Sequence, residues 1–234
     1  MTGEVISVSK TGYHVNVNGK TVFCLINNSF KSDEKPIVGD LIVAEQREDK
    51  YFILDIKTRR SLLRRFDETK QCYQHIAANV DTVFIVTSAN REFSENRIKK
   101  FLALCDGQQI RCVIVLTKTD QNKTQCTTYN DLCKRLGTEW IGINALKKDE
   151  VKKLLNYWQC GETALLMGSS GVGKSTIINT LCGLNLKTQG IQGARRLNQG
   201  RHTTSARTMY FLECGRKIID NPGVRIVGTV QQIS

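Results

Sequence analysis

Gly168-Ser169-Ser170-Gly171-Val172-Gly173-Lys174-Ser175-Thr176 satisfies the pattern G-x-x-x-x-G-K-[ST] without a mismatch. The chemistry of such a stretch is phosphate binding. Its glycines let main-chain N–H groups and a helix N-terminus converge on an anion. Lys174 can then reach the β- and γ-phosphates of a nucleotide, and the Ser175 hydroxyl can ligate Mg²⁺. The flanks supply the context the motif needs. Thr163 to Met167 reads as a short buried strand, and Ile177, Ile178 and Leu181 read as the start of a helix.

Other segments carry residues that complement a bound nucleotide. In Thr117-Lys118-Thr119-Asp120, which follows an apolar run, a carboxylate can accept hydrogen bonds from guanine N1–H and its exocyclic amine, and Lys118 can lay its stem on the purine. Asn144-Ala145-Leu146 resembles the Ser-Ala-Lys loop whose backbone N–H contacts guanine O6. In Asp220-Asn221-Pro222-Gly223, Asp220 can hold Mg²⁺ through water and the Gly223 N–H can meet the γ-phosphate. Thr203 and Thr204 offer a second hydroxyl ligand to Mg²⁺. Val224 follows Gly223 and has no group to orient a water, which leaves His202 as the candidate for that role.

The order of these motifs is informative. The base-reading segments at 117 and 144 precede the phosphate loop at 168, the reverse of the order in Ras-like proteins. Joining the old termini and cutting elsewhere keeps a packed sheet intact, so the sequence predicts a circular permutation.

The elements that must position these residues fall into two kinds. Residues 3–56 read as five short strands with clean alternation at Tyr13, Val15 and Val17 and a hairpin signal at Asn18-Gly19. That predicts a small OB-type barrel, a fold whose loops often bind oligonucleotides. From Ala77 strands alternate with helices, which predicts a parallel sheet covered on both faces. Ser94 is the expected cap of a helix that buries Ile98, Phe101, Leu102 and Cys105. A helix is expected from Lys148 to Trp158, a long loop beyond Leu181, and strands at 206–214 and 217–220. The predicted organisation is thus a barrel at 1–58, a basic linker at 59–75, and a permuted α/β P-loop GTPase domain at 76–234.

The net charge of +12 is concentrated: residues 59–75 carry +3 and residues 187–217 carry +6. Such clustering favours a polyanionic partner, because neutralised phosphates release counterions. No apolar run is long enough to span a bilayer, and the N-terminus lacks the pattern of a signal peptide; a soluble, cytoplasmic protein without a membrane partner is expected. Nine cysteines with no C-x-x-C pair read as small buried hydrophobes in a reducing compartment, against both a disulfide framework and a zinc site.

Longer matches join these motifs. Arg60-Ser61-x-Leu63-x-Arg65, Ile76-Ala77-Ala78-Asn79-Val80-Asp81, Asn96-Arg97, the phosphate loop, Gly200-Arg201-His202-Thr203-Thr204 and Asp220-x-Pro222-Gly223-Val224-Arg225 together resemble the RsgA (YjeQ) family of ribosome small-subunit-dependent, circularly permuted GTPases. The resemblance implies GTP and GDP as ligands, Mg²⁺, and GTP hydrolysis stimulated by the small ribosomal subunit and its rRNA during late maturation, by a monomer. It also implies a cysteine- and histidine-rich zinc domain after the Asp-x-Pro-Gly strand. No such residues follow here, so zinc is not expected in this chain. Three positions depart from common usage: Thr117 replaces Asn, Asn144 replaces Ser, and Asn221 replaces Thr. An RNA-binding protein with a structural nucleotide domain, or a P-loop enzyme using another nucleotide, are the alternatives.

Overall fold

Polar and apolar residues alternate along five strands at the start of the chain: β1 (Thr2–Val8), β2 (Tyr13–Val17), β3 (Lys20–Ile26), β4 (Leu41–Arg47) and β5 (Lys50–Ile56). The computed structural model describes residues 1–89, 94–119, 125–183 and 207–222. The strands run in the order β1-β2-β3-β5-β4, and β1 pairs with β4 to close the barrel. Inward side chains of Val5, Val15, Cys24, Ile42, Ala44 and Ile53 fill it. Asn18 and Gly19 both take positive φ, 50° and 82°, as a two-residue turn between right-twisted strands requires.

The basic segment expected to be a linker is instead a hairpin, β6 (Leu62–Asp67) and β7 (Cys72–Ala78). Leu63, Ile76, Ala77 and Ala78 are buried, while Arg64, Phe66 and Tyr73 face outward. Of the arginines that precede it, Arg59 turns inward and Arg60 stays at the surface. Arg59 donates to both oxygens of the fully buried Asp40 and also pairs with Glu34. Arg60 pairs with Asp81, whose second oxygen accepts the Thr163 N–H at 2.8 Å. The hairpin is thereby fastened to the barrel on one side and to the α/β sheet on the other. At the barrel seam Gly39 has φ +93°, and a Cβ there would sit 2.1 Å from the Ala78 carbonyl oxygen; only glycine fits.

The α/β part follows as β8 (Thr82–Ser88), α1 (Glu95–Cys105), β9 (Arg111–Thr117), α2 (Gln125–Arg135), β10 (Glu139–Gly142), α3 (Lys148–Lys152), β11 (Thr163–Met167), α4 (Lys174–Cys182), β12 (Thr208–Phe211) and β13 (Lys217–Asp220). Strands β10-β9-β8-β11-β13 are parallel, and β12 runs antiparallel to β13. β8 and β11 are buried throughout, so alternate residues feed two cores. Val83, Ile85, Leu165 and Met167 pack under α1 with Ile98 and Phe101. Phe84, Val86, Ala164 and Leu166 pack on the other face with Val151, Leu154, Ile177 and Ile178. Ser94 caps α1 by accepting the Arg97 N–H. The helix expected to reach Trp158 stops at Lys152 and tightens into a 3₁₀ turn, Lys153–Asn156.

Two features join the parts further. Ser7 of β1 pairs with Thr208 of β12, so the barrel and the α/β sheet share one run of strands, and Lys217 donates to Glu4 at 2.8 Å. A disulfide links Cys160 to Cys214, contrary to the reading of the cysteines as thiols alone. Its halves lie 54 residues apart in sequence, and the parallel pairing of β11 with β13 brings their turns side by side. No helix among the described residues is long and apolar enough to cross a membrane.

Candidate functional site

The phosphate loop leaves the buried end of β11 and enters α4. Gly168 (φ +152°) passes so close to β8 that a Cβ would lie 2.3 Å from the Val86 carbonyl oxygen. Gly173 precedes α4 with φ +105°. Lys174 is the first helical residue and is 7% exposed. Its ammonium donates to the carbonyls of Gly168 (2.8 Å) and Ser169 (2.7 Å). Burial pushes this group below its ordinary pKa, and attraction from Asp220 opposes that. The Asp220 carboxyl, at the end of β13, is pushed up by burial and pulled back by Lys174. Asp220 is in register with Leu166 on the neighbouring strand, one residue from the end of β11.

Ser169 accepts from Arg97 Nη1 of α1 at 2.6 Å, a contact the motif itself does not announce. Ser170, Gly171 and Ser175 are exposed, Thr176 is half-buried, and Val172 is buried beneath the loop.

Thr117, fully buried at the end of β9, has its hydroxyl 2.7 Å from the Val172 carbonyl and 3.0 Å from that of Thr87. It therefore ties β9 to the phosphate loop, a job for which a short hydroxyl side chain suffices. Lys118 takes a positive φ of 57°, turning the chain directly after the strand. The Asn144 backbone N–H is taken up: it donates to Glu150 at 2.6 Å, while the side-chain Oδ1 accepts from the Leu146 N–H. Asn144 thereby shapes the loop, and the neighbouring Ala145 has its Cβ 3.6 Å from where a Gly173 Cβ would be.

Thr117, Lys118, Asn144, Ala145, the loop from Gly168 to Thr176, and Asp220 come together at the carboxyl ends of β9, β10, β11 and β13. In open α/β sheets that end is where ligands bind. Asp120, His202, Thr203, Thr204 and Gly223 lie outside the described residues. A buried ammonium held, among the described residues, only by carbonyl oxygens, with a carboxylate nearby, suits a phosphate anion and a divalent cation. Among the described residues no preformed cluster of three or more histidine, cysteine or acidic side chains exists. Among the described residues, a cation here would rest on Ser175, Asp220 and the phosphate oxygens themselves.

This fold and site define a circularly permuted P-loop GTPase domain behind an OB-like barrel. The RsgA GTPase family matches residues 56–230, and the chain belongs to that family. It is 37% identical over 193 residues to "Small ribosomal subunit biogenesis GTPase RsgA 2" of Vibrio vulnificus (strain CMCP6), covering 82% of this chain and 54% of that protein. To the RsgA of Xanthomonas euvesicatoria pv. vesicatoria (strain 85-10) it is 37% identical over 240 residues, covering 96% and 63%. The chain thus spans between half and two thirds of these curated relatives. Two solved structures share the fold. YjeQ from Thermotoga maritima has a TM-score of 0.68 at 24% identity, covering 95% of this chain and 74% of that one. YloQ, titled a circularly permuted GTPase, has a TM-score of 0.66 at 20% identity, covering 97% and 72%.

Proposed function

We propose that this chain binds GTP and GDP with Mg²⁺, hydrolyses GTP, and acts in late maturation of the small ribosomal subunit, which stimulates the hydrolysis. The observation that carries the reading is the Lys174 ammonium, buried in the glycine loop on the Gly168 and Ser169 carbonyls beside Asp220. Its relatives are named small ribosomal subunit biogenesis GTPases, which supports the assignment of process.

In this reading Lys174 and the loop N–H groups hold the phosphates, with the Gly223 N–H at the γ-phosphate. Ser175, Asp220 and one of Thr203 and Thr204 hold Mg²⁺, which neutralises phosphate charge when bound. Asp120 reads guanine, Lys118 covers its face, and the Ala145 N–H meets O6. His202 orients the attacking water. The working division is a barrel at 1–58, a basic segment at 59–75 and a GTPase unit at 76–234, in a cytoplasmic monomer.

The rRNA contact centres on the hairpin. Arg64 lies over the Tyr73 ring at 4.2 Å, and Phe66 meets Tyr73 edge-on at 5.4 Å. Phe66 and Tyr73 are 45% and 56% exposed, far more than aromatic side chains usually are. Exposed aromatics interleaved with a guanidinium suit unpaired bases and phosphates. GTP turnover with and without isolated small subunits tests the proposal. Turnover that is absent in both, or unchanged by subunits, would overturn it.

A further inference from the structure

Arg207 directly precedes β12, and its guanidinium touches two segments far apart in sequence. Nε donates to Asn221 Oδ1 at 2.9 Å, and Nη1 donates to the His75 carbonyl at 3.4 Å. Asn221 is 1% exposed and is the residue immediately after Asp220. His75 lies on β7, two residues from the exposed Tyr73. No carboxylate pairs with Arg207 among the described residues. Its charge is held in a largely buried place, with Arg65 as a like-charged neighbour that depresses its pKa further.

A partly buried guanidinium on two neutral acceptors is a poor source of stability, since desolvation is only partly repaid. What it does fix is orientation. Asn221 Oδ1 accepts from Arg207, and the Nδ2 end of that amide is buried with no partner among the described residues. Reversing the amide would set N–H groups against the guanidinium. The side chain after Asp220 is therefore locked in one rotamer by a residue that also grips the base of the hairpin.

We propose that Arg207 is a positioning residue that ties Asn221, and with it the Asp220 end of β13, to β7 of the hairpin. Beside the apolar packing of Leu63 and Ile76 in the core that holds Ile219, this side chain is the polar link that passes a load on the hairpin to the metal-side carboxylate. The consequence for stimulated hydrolysis rests on the function proposed above; the tie itself does not.

Three variants test it: Arg207→Lys, whose ammonium cannot span both acceptors; Asn221→Leu, which removes one; and Asn221→Asp, which keeps it. Hydrogen exchange in the free protein is read over residues 72–78 and 217–222, with β5 as the folding control. Arg207→Lys and Asn221→Leu are expected to speed exchange in both segments together by about tenfold, while Asn221→Asp matches the parent. On saturating small subunits the first two keep GTP and subunit binding but lose about tenfold of the stimulated single-turnover rate, and Asn221→Asp keeps it. If Arg207→Lys disturbs β5, Asn221→Leu carries the test. Exchange that rises in one segment only, or in neither, overturns the tie. Full stimulation of Asn221→Leu overturns its part in activation. A parent protein that subunits fail to stimulate defeats the functional reading, and the exchange pattern still decides for or against Arg207.

Discussion

Arg59 and Asp40 meet side-on: Nε lies 2.7 Å from Oδ1 and Nη2 2.9 Å from Oδ2, with the aspartate side chain 0% exposed. The same carboxylate accepts the Ile37 N–H at 2.8 Å, so it organises the loop between β3 and β4 as well. Asp40→Ala strands a largely buried guanidinium and is expected to cost about 3–5 kcal/mol. Glu34→Ala, at the exposed end of the same arginine, should cost less than about 1 kcal/mol. Urea unfolding of the two variants beside the parent measures both.

Gly168 has no room for a side chain. A Cβ would stand 2.3 Å from the Val86 carbonyl oxygen, a backbone atom that cannot rotate away. Gly168→Ala must push the loop off β8, carrying the Lys174 acceptors with it. Nucleotide affinity should fall at least about tenfold, with roughly 1–3 kcal/mol lost in stability. Gly171→Ala has open space but φ +79°, so it should be strained yet milder. Calorimetric titration of GDP separates the two.

Asp220 makes stability depend on pH in a predictable direction. Its carboxyl is raised from an ordinary value of 3.8, so folding favours the protonated form. The stabilising contribution is full below 3.8 and is lost as pH rises through the folded value. At neutral pH the nucleotide-free parent therefore carries a penalty that Asp220→Asn lacks. The variant should melt higher at pH 7, by about 2–4 °C for each kcal/mol relieved, and the gap should close as pH falls toward about 4. A variant that melts lower at pH 7 would refute the assignment of burial as the dominant cause.

Guanine preference should rest on Asp120. Asp120→Asn presents an amide that suits a base with a carbonyl in place of the exocyclic amine, so selectivity moves from GTP to XTP. A mismatched buried polar pair costs roughly 1–3 kcal/mol, enough for tenfold or more in affinity. Equal GTP affinity in parent and variant would remove Asp120 from the base site.

Of the four arginines in the basic run, Arg59 and Arg60 are committed to Asp40 and Asp81, and Arg65 donates to Gln74. Arg60 is exposed but ion-paired, whereas Arg64 is exposed over Tyr73 with no carboxylate partner among the described residues. Arg64→Ala should weaken subunit binding and reduce the slope of log-affinity against log-salt by about 1. Tyr73→Ala should lower affinity by about 1–3 kcal/mol with the slope unchanged, because stacking releases no counterions. Filter binding across a salt series distinguishes these outcomes.

The barrel was legible because alternation at Tyr13, Val15 and Val17 and the Asn18-Gly19 turn are local signals. The cap at Ser94 and the phosphate loop were legible for the same reason. The hairpin was hidden by composition: Arg64 and Arg65 interrupt the alternation, and the burial of Leu63 and Ile76 depends on the distant sheet. The early end of α3 was hidden because Val151, Leu154 and Trp158 keep a helical spacing through the 3₁₀ turn. The bond from Thr117 to Val172 spans 55 residues, so no spacing rule could find it.

The Cys160–Cys214 bond closes the chain around the phosphate loop and everything from residue 161 to residue 213. A protease that cuts once within that span does not release a fragment. The two pieces stay joined until a reductant is added, and each exposed sulfur is within reach of one. Nicked protein should therefore run as a single band on a non-reducing gel and as two after thiol treatment.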